Sequence, residues 1–578
     1  MPAPDARIVR RTAASASELP PDIHPLLRRV LANRAITRPE QMDHSLSRLA
    51  DPFLMKDMHK AVERLCLALE KKQQIVIVGD FDADGATSSA LMTLALDAMG
   101  FMPPNFVVPN RFEYGYGLSE AIVDEIAWQK PDLLITVDNG ISSIAGVAHA
   151  NALGMDVIVT DHHLPGEQLP PACAILNPNQ PDCDFPGKSL AGVGVAFYFL
   201  VALRKVLREK GHFSKDNPEP NLADYLDIVA LGTVADVVPL DFYNRLLVSQ
   251  GLRRIRAGKM RPGIRQLLQI AGKDHRFIAC SDLAFALAPR LNAAGRLDDM
   301  SQGIMLLISD SQELVAELAQ SLDDFNRDRR AIEQQMQNEA LAIVDQMIQQ
   351  WQQPPRGFCL FHPDWHQGVV GLVASRLKER FHRPVIAFAS TDSGELKGSG
   401  RSIDGIHLRD LLDSLATTNP GLLYKFGGHA MAAGLSLAPE QLPQFEKAFA
   451  EQLLGCDDAL FEAVIETDGE VAADDLNLYT AQVLRDALPW GQKMPEPLFE
   501  GEFVLKASKV LAEKHLKLRL SLADNENSHS ELDAIWFNAD LDNFAQREGQ
   551  QIYLVYRMDI NHFRGEKSLQ LLVETLRW

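Results

Sequence analysis

The sequence lacks the features of a membrane protein or of a disulfide-stabilised secreted protein. Its longest apolar run, residues 193–203, is well short of the roughly 18 residues that a membrane span requires. The N-terminal MPAPDARIVRR has no apolar stretch after its basic residues, so we expect no secretory signal. Six cysteines are scattered over 578 residues without a C-x-x-C pair, which argues against a disulfide framework or a structural zinc site. We therefore expect a cytoplasmic protein that does not contact a membrane.

The chain is also poor in positive charge. It has 57 Lys and Arg against 77 Asp and Glu, and its formal net charge is −20. This balance argues against a protein that coats nucleic acid mainly by bulk electrostatic attraction. It leaves room for an enzyme with a local basic groove, in which divalent cations neutralise part of the acidic excess.

The sequence does contain successive patterns that indicate several domains. Residues 1–50 are predicted to be a polar, helical lead-in. From residue 51 to 305, short β-branched runs alternate with helical stretches, which is typical of a parallel α/β sheet. The runs QIVIV, LLITV and VIVT, at residues 74–78, 133–137 and 157–160, are apolar nearly throughout, as strands buried on both faces are.

The second half of the chain predicts a helix and two further domains. Within residues 306–355, apolar side chains recur mostly at spacings of three, four or seven, and a Pro-Pro pair ends the pattern. This helix is either docked on one core or a rigid arm between two lobes. A smaller α/β domain is expected at residues 356–455. Alternating short apolar runs at residues 462–578 predict an all-β module, a small barrel.

Acidic and imidazole side chains follow the predicted strands and one later apolar run, at residues 228–231. They are Asp80, Asp82, Asp84, Asp138, Asp161, His162, His163 and Asp236. Because ligands bind outside the carboxyl ends of strands in an open parallel sheet, we expect these residues at one edge. Crowded carboxylates stay ionised only with positive charge between them. Carboxylates with an imidazole suit Mn²⁺ or Mg²⁺, and two such metals form a clamp for phosphoester hydrolysis.

Each motif taken alone has a structural alternative. A single Asp after a strand, such as Asp80, is more often a helix cap or a turn residue. The D-x-D-x-D-G pattern is similar to the start of a calcium loop, but it follows a buried strand and has Leu91 where that loop needs Glu. The conjunction of strand-end clusters in order favours the metal site.

The motifs GDFDADG, VDNG, DHH and GTVAD, in this order, resemble motifs I to IV of the DHH phosphoesterase family, and GGHAMAAG resembles the glycine-histidine motif of the DHHA1 domain. With PRLNAAGRL, HQGVVGLVASRL and the terminal β module, nearly the whole chain is similar to the family's bacterial exonucleases specific for single-stranded DNA. The resemblance implies an α/β fold with a parallel-sheet DHH domain, a long helix leading to a smaller DHHA1 α/β domain, and a C-terminal OB-like β-barrel.

The resemblance also implies an activity. It is 5′→3′ exonuclease action that releases 5′-mononucleotides from single-stranded DNA by two-metal hydrolysis, with Mn²⁺ or Mg²⁺ as the two cofactor ions, in DNA recombination and repair. The expected partners are single-stranded DNA, single-stranded-DNA-binding protein and repair helicases, and the chain is expected to be a monomer. The alternatives are a DHH-family hydrolase of short oligonucleotides or nucleotide phosphates, and an inactive scaffold that has lost its metal ligands. Here every expected ligand position is filled.

Matching to the family's motifs implies roles for individual residues. Asp138 would bridge the two metals. The remaining ligands would be Asp84, His162 and Asp236 for one metal and Asp82 with Asp80 for the other. His163 would face the scissile phosphate, and Asp161 would orient His162.

Further residues are candidates for holding the strand. The substrate-binding candidates are Arg111, Arg290, Asn292, Arg296, Ser399, Arg401, Gly427, Gly428 and His429. Arginine forks match phosphate geometry, and a glycine-rich turn offers backbone N–H groups. Each arginine could instead form a salt bridge within the fold. In the terminal module, basic residues from Lys506 to Arg519 and Lys567 are interleaved with aromatics, a pattern that grips single strands. Trp536 and Tyr556 could equally belong to the core.

Overall fold

A computed structural model describes residues 6–13, 18–110, 117–350, 355–391, 394–522, 531–539, 544–563 and 565–578. The chain forms two compact units. The parallel-sheet unit comprises Arg38–Arg327 and Asp486–Glu496. The barrel unit comprises Met1–Thr37, Asp328–Arg485 and Pro497–Trp578.

The parallel-sheet unit is built on a five-stranded sheet in which every strand pair is parallel. In spatial order the strands are Asn105–Val107, Ile75–Val78, Leu133–Val137, Asp156–Thr160 and Ala174–Leu176. All residues of the two strands Ile75–Val78 and Leu133–Val137 are buried. Burial on both faces explains why these runs are apolar throughout instead of alternating.

Helices surround this sheet. They are Met58–Lys71, Ala83–Ala98, Glu120–Ala127, Ile144–Ala152, Gly192–Glu209, Leu226–Ala235, Phe242–Arg256, Pro262–Ile270, Cys280–Asp282, Ala288–Leu297 and Ser301–Ile308. Ala83–Ala98, Gly192–Glu209 and Leu226–Ala235 contact one another, and the small side chains of ADGATSSA allow the close approach. Residues 228–231, which we grouped with the strand ends, lie inside the helix Leu226–Ala235. That helix is buried nearly all round, and its uniform apolarity concealed the helical period.

The segment Asp486–Glu496 belongs to the parallel-sheet unit, although the chain on both sides of it belongs to the barrel unit. We call it the return strap. The Leu240 N–H donates a hydrogen bond to the carbonyl oxygen of Gln492 at 2.8 Å, and Trp490 and Met494 are buried. The strap therefore supplies part of the core of a unit from which it is remote in sequence.

A single helix, Gln312–Gln350, crosses the boundary between the units, and we call it the connecting helix. Its 39 residues span about 58 Å. Val315 and Leu322 are buried in the part that belongs to the parallel-sheet unit. Met336 and Val344 belong to a hydrophobic cluster of the barrel unit. The helix is therefore not docked on one core alone, because it contributes buried residues to each of the two units.

The barrel unit contains a five-stranded mixed sheet. In spatial order its strands are Lys425–Gly428, Ala432–Leu437, Leu396–Arg401, Val385–Ser390 and Phe358–Phe361. The helices packed with it are Val370–Phe381, Leu408–Thr418 and Leu442–Leu454. The two glycine-rich stretches of the sequence lie in neighbouring antiparallel strands, where Gly434 is opposite Ser399.

The last strands close into a five-stranded barrel. In spatial order they are Phe499–Leu511, His515–Leu522, Leu532–Trp536, Glu566–Arg577 and Gln551–Phe563. The Tyr556 ring is fully buried between Phe499 and Phe503, with centroid distances of 6.2 and 5.5 Å. Tyr556 is therefore a core residue, and it is not available for stacking on a base.

The N-terminal segment is more than the helical lead-in that we expected. Arg7–Arg10 is a strand that pairs in parallel with Val464–Thr467, and the helix Pro25–Ala32 follows it. Short 3₁₀ turns continue to Leu54. The strand was missed because its partner lies more than 450 residues away in the chain. Among the described residues, no helix combines the length and apolarity needed to cross a membrane.

Candidate metal centre

The first acidic motif forms a turn between the strand Ile75–Val78 and the helix Ala83–Ala98. We call residues 80–85 the metal loop. Asp82 caps this helix: its Oδ1 accepts hydrogen bonds from the N–H groups of Asp84 at 2.9 Å and Gly85 at 3.1 Å. The expected alternative, a capping aspartate, is therefore real for Asp82. It does not exclude metal binding, because a carboxylate has a second oxygen.

Asp84 lies inside the first turn of that helix and is fully buried. Its two oxygens accept hydrogen bonds from the N–H groups of Gly192, at 2.6 Å, and Val193, at 2.9 Å. These donors begin the helix Gly192–Glu209. Burial, with the charge of Asp82 next in importance, raises the pKa of Asp84 to about 7 despite these hydrogen bonds. This pair of donors was not predicted from the sequence, where the small residues of LAGVGV were the available signal.

Asp138 follows the strand Leu133–Val137 and is 1% exposed. Its backbone is left-handed, with φ of 61°, a conformation that aspartate tolerates better than most residues. The Asn139 side-chain amide fixes the turn by donating to the carbonyl oxygens of Val78 and Val137 at 3.0 and 2.9 Å. A Cβ on Gly192 would lie 2.7 Å from Asp138 Oδ1, so this glycine gives the carboxylate its space.

Asp161 follows the strand Asp156–Thr160 and organises the two histidines after it. Its Oδ1 accepts from the backbone N–H groups of His162 and His163 and lies 2.7 Å from His163 Nδ1. Its Oδ2 accepts from the Ile141 N–H at 2.9 Å. The ring that Asp161 holds through a side-chain contact is that of His163, and its hydrogen bond with His162 is to the backbone N–H. The expected role of Asp161 in orienting the His162 ring stays a prediction.

This pairing stabilises charge on both partners. Burial alone would raise the pKa of Asp161, but the hydrogen bond and positive charge of His163 outweigh it, and the pKa is lowered. Burial lowers the pKa of His163, but its hydrogen bond to Asp161 and the charges of Asp161, Asp80 and Asp82 together outweigh burial, and the pKa is raised. The geometry therefore favours a protonated His163 beside an ionised Asp161.

The His162 ring joins the separate motifs. Its Nε2 lies 3.1 Å from Asp138 Oδ1 and 3.4 Å from Asp236 Oδ2, and Asp236 is the residue that ends the helix Leu226–Ala235. Within the described part of the chain, three groups have ligand atoms that lie within 4.8 Å of one another: Asp84, His162 and Asp236; Asp80, Asp82 and Asp138; and Asp138, His162 and His163. The first two groups match the two ligand sets implied by the motifs.

The electrostatics of this cluster favour a bound cation. Burial raises the pKa of Asp138 well above its usual value, and the charges of Asp84 and other cluster aspartates raise it further. Asp236 behaves in the same way for the same reasons. Carboxylates that raise one another's pKa form a site in which positive charge is strongly favoured. Several carboxylate oxygens with one imidazole fit Mn²⁺ and Mg²⁺ and do not fit a soft-metal site.

The candidates for substrate binding around PRLNAAGRL have other partners. This motif forms the helix Ala288–Leu297, which we call the brace helix. Arg290 is buried and pairs with Asp323, so the salt-bridge alternative is correct for it and our prediction of substrate contact is wrong. Asn292 Oδ1 accepts a hydrogen bond from the Ala83 N–H of the metal loop at 2.8 Å. Arg296 is half-buried on the same helix, and Arg111 lies outside the described residues.

The remaining candidates meet on the mixed sheet of the barrel unit. In its register, Gly427 is opposite Gly434, which is opposite Ser399 on the next strand. Arg401 Nη1 donates to Ser399 Oγ at 3.2 Å, and burial lowers the pKa of this guanidinium. Gly428 continues the Gly427 strand, and His429 follows in the turn. The structure therefore brings these five residues, which the sequence separates by about 30 positions, to one patch, the serine-arginine patch.

Three family models match successive parts of the chain. They are the DHH family, N-terminal domain, at residues 74–233, the DHHA1 domain at residues 355–454, and the RecJ OB domain at residues 467–575. The single-stranded-DNA-specific exonuclease RecJ of Salmonella typhimurium is 51% identical over 98% of this chain and 98% of its own. The protein of the same name from Escherichia coli is 50% identical with the same coverage. The chain belongs to the RecJ family.

A solved RecJ structure agrees with this assignment. The crystal structure of RecJ in complex with Mn²⁺ from Thermus thermophilus matches with a TM-score of 0.79 at 28% identity, covering 99% of this chain and 80% of that chain. The predicted fold class is therefore confirmed, with a parallel-sheet DHH domain, a DHHA1 domain and an OB barrel characteristic of the RecJ family.

Proposed function

We propose that this member of the RecJ family is a divalent-metal-dependent exonuclease that degrades single-stranded DNA from its 5′ end and releases 5′-mononucleotides. The observation that carries the proposal is the convergence of aspartates from separate segments, where burial and the charges of neighbouring aspartates raise the pKa of Asp138 and Asp236. Relatives about 50% identical over the full length are named single-stranded-DNA-specific exonucleases, which supports the substrate class.

The cluster fits two cations. One would be held by Asp84, His162 and Asp236, the other by Asp80 and Asp82, and Asp138 would lie between them. Bound Mn²⁺ or Mg²⁺ would supply Lewis acidity, which acidifies water and neutralises charge on the phosphate. The protein's own contribution is to hold the ligands rigidly, through the Gly192 and Val193 N–H groups on Asp84 and the Asn139 amide at the Asp138 turn.

His163 is proposed to act on the substrate itself. Asp161 fixes its ring through Nδ1 and favours its protonated form. A protonated imidazole can donate a hydrogen bond through Nε2 to a phosphate oxygen, where negative charge increases as the phosphodiester is attacked. Asp161 is then a positioning residue for His163.

In the barrel unit we propose two contacts with the strand. The serine-arginine patch offers a guanidinium and a hydroxyl beside glycines without side chains, which suits a phosphate group. The barrel offers the exposed lysines Lys506, Lys509 and Lys514 for the backbone of a longer strand. Lys517 and Arg519 support this less, because they pair with Asp533 and Glu531.

We further propose a cellular setting on the strength of the family resemblance. The protein would act in the cytoplasm as a monomer in recombination and repair. Its protein partners would be single-stranded-DNA-binding protein and the helicases that generate single strands. Pull-down with purified single-stranded-DNA-binding protein, and light scattering of the chain alone, test these points separately.

Digestion of end-labelled DNA tests the activity. With Mn²⁺ or Mg²⁺, a 5′-labelled single strand should release labelled mononucleotide at once, whereas a 3′-labelled strand should shorten progressively. Duplex DNA and reactions with chelator should remain intact. Early release of the 3′ label would reverse the polarity, and cleavage limited to dinucleotides would favour the small-substrate hydrolase.

A further inference from the structure

The brace helix touches the metal loop at two points, although it supplies none of the candidate metal ligands. Asn292 Oδ1 accepts a hydrogen bond from the Ala83 N–H at 2.8 Å. One turn further along, Gly295 lies so close to Phe81 that a Cβ there would stand 1.8 Å from the Phe81 carbonyl oxygen. Both contacts are made to the backbone of the loop, so they act on its position whatever its side chains bind.

The hydrogen bond from Ala83 completes the N-terminus of the helix Ala83–Ala98. The first N–H groups of a helix have no acceptor within it. Asp82 accepts from the N–H groups of Asp84 and Gly85, and Asn292 accepts from the remaining early donor, Ala83. The direction of the Asp82 carboxylate depends on this turn staying formed, so Asn292 supports a candidate ligand that it does not touch.

The brace helix is itself held firmly. Arg290 donates to Asp323 Oδ1 from Nε at 2.9 Å and from Nη2 at 2.8 Å, and both side chains are buried. Arg290 also donates to the carbonyl oxygen of Ala286, in a π-helical turn at Leu283–Leu287. Asp323 belongs to the connecting helix. Such a buried ion pair fixes the position of the brace helix against the connecting helix. Loss of one partner is strongly destabilising, because the other charge stays buried without compensation.

We propose that Asn292 and Gly295 are positioning residues that set the affinity of the site for divalent cations by fixing the metal loop. This inference rests on the metal site of the proposed function. A direct role of Asn292 in holding DNA makes a different prediction: it would change binding of the strand and leave cation binding without DNA untouched.

The test is the binding of Mn²⁺ to the full-length chain without DNA, followed by the electron paramagnetic resonance signal of free Mn²⁺. Asn292→Leu removes the acceptor at similar volume and should weaken binding about tenfold, as is usual for residues that orient metal ligands. Asn292→Asp keeps an oxygen acceptor and should bind Mn²⁺ within about threefold of wild type or tighter. Asn292→Ala only removes atoms and should bind Mn²⁺ as weakly as the leucine variant. Agreement between the two variants would show that the weaker binding does not come from misfolding caused by the leucine side chain.

Asn221→Leu is the matched control. Asn221 Oδ1 also accepts from a backbone N–H, that of Ala223 at 3.3 Å, at the start of the 3₁₀ turn Leu222–Tyr225. This variant should bind Mn²⁺ as the wild type does. Gly295→Ala should weaken binding, because the added methyl group displaces Phe81.

The outcomes separate the two proposals. If the wild type binds no Mn²⁺, the proposed function fails. If the wild type binds and the Asn292→Leu and Asn292→Ala variants bind equally well, the function survives and the positioning role is refuted. An Asn292→Asp variant as weak as Asn292→Leu would also refute it, since the acceptor would then not be the cause.

Discussion

Two groups of buried acids in this molecule differ in how their charge is compensated. In the barrel unit, Asp468 receives a fork of hydrogen bonds from Arg34, at 2.8 and 3.0 Å, in which the side chains are 0% and 2% exposed. Nearby, buried Glu500 pairs with Arg10 of the N-terminal strand. We call these two ion pairs the N-terminal clasp. In the metal centre, the neighbours that set the pKa of Asp138 are other aspartates.

The difference shows what distinguishes a structural acid from a ligand. Both groups are buried, so burial alone does not mark a site. The clasp acids are matched by guanidinium groups of the same unit, and their charge is compensated once the chain folds. The cluster around Asp138 gathers like charges, which is stable when positive charge comes from outside the chain. The sign of the neighbouring charge is therefore the informative observation.

Replacing Asp138 should give the largest effect on chemistry. Asp138→Ala should lower the rate of single-strand digestion at least about a thousandfold, since metal neutralisation of phosphate charge contributes several kcal/mol. The fold should persist, because a mutually repelling charge is removed. Asp156→Ala is the matched control: it lies at the other end of the next strand and pairs with Arg64, and its rate should be normal. Substantial residual activity of Asp138→Ala would remove the bridging role.

Replacing Asp468, an acid of the N-terminal clasp, should lower stability and leave metal binding unchanged. Asp468→Ala leaves the buried Arg34 guanidinium uncompensated, which typically costs about 3–5 kcal/mol. We expect a lower denaturation midpoint for the barrel unit in urea and an unchanged affinity for Mn²⁺. A normal midpoint would contradict the structural role of the clasp. A loss of Mn²⁺ binding would show that the clasp and the metal centre are not independent.

Cations should stabilise one region and leave the other unaffected. Mn²⁺ at about 100 times its dissociation constant should stabilise the parallel-sheet unit by about 2.7 kcal/mol for each ion bound, because it binds the folded form. Calorimetry with Mn²⁺ and with chelator measures this shift. The Asp138→Ala variant should lose most of it, whereas Asp468→Ala should keep it. An equal shift in both variants would indicate non-specific binding.

Replacing exposed lysines of the barrel should have the smallest effect of these changes, and it extends the comparison from buried to exposed charges. Replacing Lys506, Lys509 and Lys514 by Gln should weaken binding of long single strands. The slope of log affinity against log salt should fall by about 0.7 for each phosphate that the variant no longer neutralises. Lys447→Gln, on a helix of the same unit, is the control and should not change the slope. An unchanged slope in the triple variant would show that single-stranded DNA does not bind at these three lysines.

The sequence predicted the features that depend on local pattern. Strands such as Leu133–Val137 are apolar because both faces are buried, and the acids directly after them had to lie at one edge. The family motifs added the grouping of His162 with Asp84 and Asp236, which no periodicity reveals. The geometry has the same grouping, with ligand atoms of the three residues within 4.8 Å of one another.

The errors all concern partners that are distant in the chain or unspecified by pattern. Arg290 was predicted to bind substrate because Asp323, its partner 33 positions away, lies on a helix whose docking the sequence does not give. The contact of Asp161 with the His163 ring was not predicted, because both histidines follow it directly and the turn conformation decides which ring returns to Oδ1. The strand Arg7–Arg10 was missed because its partner strand, Val464–Thr467, is distant in the chain.

The return strap has a practical consequence for anyone dissecting this molecule. A truncated gene product that stops at Arg327 would lack Trp490 and Met494, so hydrophobic surface near Leu240 would be uncovered, a few residues beyond Asp236. The nuclease half is therefore not encoded by one uninterrupted stretch of the gene. An isolated version should need the strap grafted back, and its recovery of solubility on grafting would measure how much the strap contributes to the fold of that unit.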